Sequence, residues 1–84
     1  MNVTFLPAAW DLWQYRQETD KATYRKLNGL IKECMRHPYE GTGKPEALKG
    51  DLTGNWSRRI DREHRLVYRV EDDTLIIVQC RYHY

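Results

Sequence analysis

The sequence predicts an α+β domain, in which two N-terminal helices cover one face of an antiparallel β-sheet in the order β-α-α-β-β-β. Three observations carry that reading. Apolar residues recur at spacings of three and four between Tyr24 and Met35, and from Asp51 onward the period becomes two. The third is size: 84 residues, 40% hydrophobic and 31% charged, suffice for one small core, so residues 1–84 are expected to form a single domain. An aromatic fraction of 12% is too high for a disordered chain. No apolar run approaches the roughly 18 residues of a membrane span. Asn2, Thr4, Pro7 and Asp11 interrupt the start where a secretory leader would be apolar, so the expected address is the cytoplasm, away from any membrane. A core this small sits near the lower limit for independent stability, which favours a bound partner or a homodimer.

Asn2 to Leu6 reads as a short strand, and Pro7 suits a first helical turn, where its missing N–H breaks no intrahelical bond. The first helix is expected from Pro7 to Gln17, with Trp10 and Trp13 in the core. Thr19 or Asp20 caps the second, whose Tyr24, Leu27, Leu30, Ile31, Cys34 and Met35 form one buried stripe. It ends near His37, because Pro38 blocks continuation. The short link makes the pair an antiparallel hairpin. Tyr39 to Gly50 holds three glycines and a proline and is the one long loop, a kind of segment that often carries function.

Three strands follow. Trp56, Arg58 and Ile60 alternate with Ser57, Arg59 and Asp61; Leu66, Tyr68 and Val70 with Arg65, Val67 and Arg69; Ile76, Val78, Cys80 and Tyr82 with Ile77, Gln79, Arg81 and His83. Placing Leu66 and Tyr68 on one core face with Val78 and Cys80 requires an odd number of residues in the connection around Asp72 and Asp73. A five-residue loop from Glu71 to Leu75 then sets Arg65 opposite Arg81, with His83 as its diagonal neighbour.

Net charge is only +2, yet Arg58, Arg59, Arg65, Arg69 and Arg81 all lie in strand-like runs, which concentrates positive charge across a sheet face. Cys34 and Cys80 have no C-x-x-C or Cys/His spacing and read as reduced core thiols, so neither a metal nor another cofactor is expected. The open face and the Gly-rich loop together offer Glu46, Lys49, Arg58 or Arg59, Arg65, Arg81, His83 and Tyr84. One carboxylate, several guanidiniums and an imidazole suit RNA cleavage without metal. Glu46 would take the ribose 2′-OH proton, Arg65 would hold the phosphorane through its planar fork, and His83 would protonate the leaving 5′ oxygen. Tyr84 suits stacking on a base or donating to phosphate. Plainer readings exist: a glutamate in such a loop is usually just solvated, and exposed arginines often pair weakly with nearby acids. Besides a nuclease, a non-catalytic module binding RNA or an acidic partner stays open, as does an operator-binding corepressor. A carboxylate combined with an imidazole favours the nuclease, because pure binding needs neither.

The runs Gly43 to Lys49, Leu52 to Ile60 (with W-S-R-R-I), Glu63 to Tyr68 (E-H-R-L-V-Y) and Cys80 to Tyr84 (ending R-Y-H-Y) closely resemble the YoeB toxins of the RelE superfamily. The likeness spans the chain, including Trp10-Asp11, Gln17 to Asp20 and His37 to Gly41. It implies a RelE-like fold and a ribosome-dependent mRNA interferase that enters the ribosomal A site, leaving a 2′,3′-cyclic phosphate and a 5′-hydroxyl. It also implies a YefM-type antitoxin as partner, alongside ribosome and mRNA, and operator DNA only as a toxin–antitoxin complex. Position by position, Glu46 matches the family's base, Arg65 its phosphate-stabilising arginine, His83 its acid and Tyr84 its terminal aromatic. Lys49 and Arg59 match supporting RNA contacts.

Overall fold

Asp20 alone separates the two helices of the chain, α1 (Pro7–Thr19) and α2 (Lys21–Arg36), in a computed structural model that describes residues 1–80. Its carboxylate caps α2, accepting the Thr23 N–H at 3.1 Å and the Thr23 hydroxyl at 2.7 Å. Those bonds, the hydroxyl first, hold the carboxyl below its ordinary value. So short a link folds the helices back on each other, and Trp13 Nε1 donates to Asn28 Oδ1 across the hairpin at 2.8 Å. The expected stripe on α2 is present: Leu27, Leu30, Ile31 and Cys34 are buried, with Met35 packed beside them. Helix α1 differs from expectation. It runs two residues further, buries Ala9 and Arg16, and leaves Trp10 43% exposed, stacked on Trp13 with ring centroids 5.2 Å apart.

The strands are β1 (Asn2–Phe5), β2 (Glu46–Ala47), β3 (Trp56–Arg59), β4 (Arg65–Glu71) and β5 (Thr74–Gln79), with a 3-10 turn at Gly50–Leu52. They form one sheet in the order β1-β5-β4-β3-β2. The α+β architecture with both helices on one face is as expected, since helix residues Ala9, Leu27, Leu30, Ile31 and Cys34 share a core with Ile60, Leu66, Tyr68, Leu75, Ile77 and Cys80. Two details are corrected. The sheet is mixed, because the helical hairpin returns the chain so that β1 lies parallel to β5. The long loop also contains a strand, β2, which pairs antiparallel with β3 through Glu46↔Ser57 and Ala47↔Trp56.

The register between β4 and β5 is a further correction. Glu71 pairs with Thr74 around a two-residue turn at Asp72 and Asp73, with Asp72 at φ 53°. Aspartate tolerates this left-handed conformation better than most residues. Pairing runs from there to Tyr68↔Ile77 and then shifts, so that Val67 faces Gln79 and Val78 is the extra residue of a β-bulge. Hence Leu75 and Ile77 point into the core near the turn, where Ile76 and Val78 were expected. Beyond the bulge the parity reverses. Cys80 is buried as expected, and Val67↔Gln79 is the pairing implied by setting Arg65 against Arg81. Arg81 itself lies outside the described residues.

One buried cation ties the sheet to the loop after α2. Arg58 has no exposed surface. Its Nε donates to the Tyr68 hydroxyl at 3.1 Å, Nη1 to the Thr42 carbonyl at 3.1 Å, and Nη2 to the carbonyls of His37 and of Glu40, the latter at 2.7 Å. Nη1 also faces Glu33 Oε2 at 3.3 Å, so each of the five N–H groups of the guanidinium has an acceptor. The Tyr68 hydroxyl in turn donates to the Pro38 carbonyl at 2.6 Å, and burial pushes its pKa up to about 12. Glycine is required where the loop crosses this residue. At Gly43, with φ 87°, a Cβ would stand 3.2 Å from that of Arg58 and 3.1 Å from the Arg59 carbonyl. The Gly43 carbonyl accepts the Arg59 N–H at 2.7 Å, which fixes the chain three residues before Glu46.

Candidate active site

The face of the sheet away from the helices gathers the charged candidates. Because Arg58 and Leu66 face the core, their neighbours Arg59 and Arg65 face outward, directly opposed across β3 and β4. Glu46, paired with Ser57, falls on the same face and is a diagonal neighbour of Arg59, about 7 to 8 Å away. Arg65 lies two strands from Glu46 and two residues further along, so their Cα atoms stand about 12 Å apart.

Arg65 is held from its own loop. Its Nη1 donates to the carbonyls of Asp61 at 2.8 Å and of His64 at 3.1 Å. Among the described residues its Nε and Nη2 donors have no acceptor, which leaves one edge of the fork for an anion. Local bonds shape the loop: Asp61 Oδ1 accepts the N–H groups of Glu63 at 2.9 Å and His64 at 2.8 Å. Burial raises the affinity of the Asp61 carboxyl for a proton, yet these two bonds outweigh it and hold the group below its ordinary value.

An open cleft of about 460 Å³ adjoins Arg59 and Arg65 at this end of the sheet, lined also by Lys26, Ile60, Asp61 and Arg62. Of the expected residues, Glu46, Arg59 and Arg65 thus share one face. Lys49 does not join Arg59 and Arg65. It is exposed beyond β2, where Leu48 bonds to Asn55, at the opposite end of β3. His83 and Tyr84 lie outside the described residues. Arg69 is outward-facing but engaged by Glu71 at 2.9 Å. Arg58, which the sequence left as an alternative to Arg59, belongs to the core. Lys26 and Arg62 were not singled out beforehand, and the sequence carries no signal for them, since they come from different elements. Among the described residues there is no cluster of three metal-ligating side chains, and no helix is long and apolar enough to cross a membrane.

A two-helix, five-stranded α+β fold with a basic outer face is the kind of scaffold used by the small bacterial toxins that the sequence resembles. The family model for the YoeB-like toxin of bacterial type II toxin-antitoxin systems matches residues 5–84. The chain belongs to this family. The toxin YoeB of Escherichia coli K12 is 56% identical over 84 residues, all of both chains. Among solved structures, a heterotetrameric YoeB-YefM toxin-antitoxin complex from Staphylococcus aureus contains a chain 49% identical, with a TM-score of 0.92 over 100% of this chain and 98% of that one. A YoeB dimer from the same organism superposes with a TM-score of 0.93 at 49% identity and the same coverage.

Proposed function

We propose that this type II toxin is a ribosome-dependent mRNA endoribonuclease that inhibits translation by cutting mRNA in the A site. The observation that carries the proposal is the placement of Glu46 and Arg65 on the sheet face away from the helices, with Arg59 between them and, among the described residues, one edge of the Arg65 fork without an acceptor. Glu46 takes the proton from the ribose 2′-OH, and the 2′ oxygen attacks the adjacent phosphorus. Arg65 stabilises the charge that develops on the phosphorane oxygens, and this is where a preorganised donor contributes most. His83 gives its proton to the 5′ oxygen as the P–O bond breaks, leaving a 2′,3′-cyclic phosphate and a 5′-hydroxyl. Tyr84 stacks on a base, and Lys49 and Arg59 hold RNA. These side chains supply base, clamp and acid without a metal or other cofactor.

The partners in this reading are the ribosome, mRNA and a YefM-type antitoxin, as in the Staphylococcus aureus complex, with a second copy of the chain as in the dimer from that organism. An acidic antitoxin segment would complement the outer face. Operator DNA would be bound only by the toxin–antitoxin complex, and the whole would act in the cytoplasm.

The mechanism stands or falls on the 2′ oxygen. In a ribosome complex whose mRNA carries a single 2′-deoxy nucleotide at the cut position, cleavage there should vanish while binding persists. Arg65→Ala should lower the single-turnover rate on normal mRNA by roughly a hundredfold or more, the scale of one lost oxyanion donor. Cleavage of the 2′-deoxy message, with or without chelator, would mean that water is the nucleophile and that Glu46 and His83 have other roles.

A further inference from the structure

Arg59 and Arg65 are opposed across two adjacent strands, an arrangement of like charges that disfavours the sheet unless an anion lies between them. Lys26 from α2 and Arg62 from the loop joining β3 and β4 line the same cleft. Neither makes an ion pair or hydrogen bond with a described side chain, and both are exposed. Among the described residues Asp61 is the one carboxylate in the lining, and its Oδ1 is already committed to two backbone N–H groups. Four cations thus face one engaged acid in a concave site, which focuses positive potential into it.

Resting on the nuclease reading above, we infer that Lys26 and Arg62 hold a second phosphate of the RNA strand, next along from the one at Arg65. The strand then leaves the sheet face through the cleft between α2 and the loop 60–64. The lining favours a nucleic-acid backbone over a peptide. Ile60 is its one apolar residue among those described, and protein interfaces need apolar anchor pockets and are depleted in lysine, whereas phosphates require only cations. Ion pairing with phosphates also predicts how binding responds to salt.

The test uses the full chain and a ten-nucleotide RNA made uncleavable by 2′-O-methyl groups, with affinity measured over a series of salt concentrations. For single strands each lost phosphate contact lowers the slope of log affinity against log salt by about 0.7. Lys26→Ala and Arg62→Ala should each weaken binding and flatten the slope by up to that amount, and Lys26→Arg should restore it. In ribosome-dependent cleavage the double variant should raise KM several-fold and leave kcat close to wild type, because neither residue touches the reacting atoms. Unchanged affinity and slope would overturn the inference, even if wild-type protein cuts mRNA normally. Loss of antitoxin affinity with RNA binding intact would overturn it too, and assign the cleft to the protein partner. If RNA slopes respond as expected but wild-type protein cuts no message, the cleft holds and the nuclease reading fails.

Discussion

Arg58 and Arg59 are the same residue type at adjacent positions of one strand, and they do opposite things. Arg58 is fully buried with an acceptor for every donor, while Arg59 is exposed and its guanidinium has no partner among the described residues. A half-turn of the strand separates a guanidinium that organises the loop after α2 from one left available to an anion. The comparison shows that charge in a strand carries no functional meaning until its face is known. A guanidinium surrounded by carbonyls holds the fold together, and one opposed by another guanidinium points to a missing ligand.

The sharpest way to break this contrast is Arg58→Ala. It strands the carbonyls of His37, Glu40 and Thr42 and leaves the Glu33 and Tyr68 side chains short of a partner. We expect a loss of about 3 kcal/mol or more in urea unfolding, out of a total of roughly 5 to 15 kcal/mol for a domain. Lysine at the same position should rescue only in part, since it lacks the planar fork. A variant as stable as wild type would show that the loop does not depend on this residue.

A smaller effect should appear with pH. The Thr42 N–H donates to Glu33 Oε1 at 3.0 Å, and this bond, aided by Arg58 against a desolvation penalty, holds the Glu33 carboxyl below its ordinary value of 4.5. The group therefore contributes stability that is fully present above pH 4.5 and is lost as pH falls through its lowered folded value. In urea titrations, Glu33→Gln should be less stable than wild type at pH 7, with the gap closing below pH 4.5. A gap independent of pH would mean that charge plays no part.

The smallest expected change is the most discriminating for the outer face. Arg59→Ala removes one of two opposed like charges, so stability should stay within about 0.5 kcal/mol of wild type or rise slightly. A loss above about 1 kcal/mol would place Arg59 with Arg58 as a structural residue.

Much of the architecture was legible because it rests on local patterns. The stripe from Leu27 to Cys34, the Asp20 cap, the stop before Pro38 and the three later strands follow from periodicity and capping, which nearest neighbours along the chain decide. Trp10 was misplaced because α1 meets the core along the face of Ala9, Leu12 and Trp13, and a tryptophan one position after Ala9 is carried outward. Within the site, Glu46 and Arg65 were selected for their chemistry and fall on one face. Lys49 was named from the Gly-rich loop and from its match to an RNA contact of the resembled family, and the direction of β2 carries it to the end of β3 away from Arg59.

By itself, then, the sequence determined the two helices, four of the five strands and their order, and that Arg58 and Arg59 must face opposite ways. Only the tertiary structure decided which of them faces the core. Alternation fixes relative faces within a strand, but the absolute choice depends on where α2 lies and on which carbonyls the loop from His37 to Gly43 brings to the guanidinium. The same holds for the extra residue at Val78. A one-residue shift in pairing leaves the local pattern of β5 unchanged, and it is settled by the packing of Leu75, Ile77 and Cys80 against helices distant in the chain.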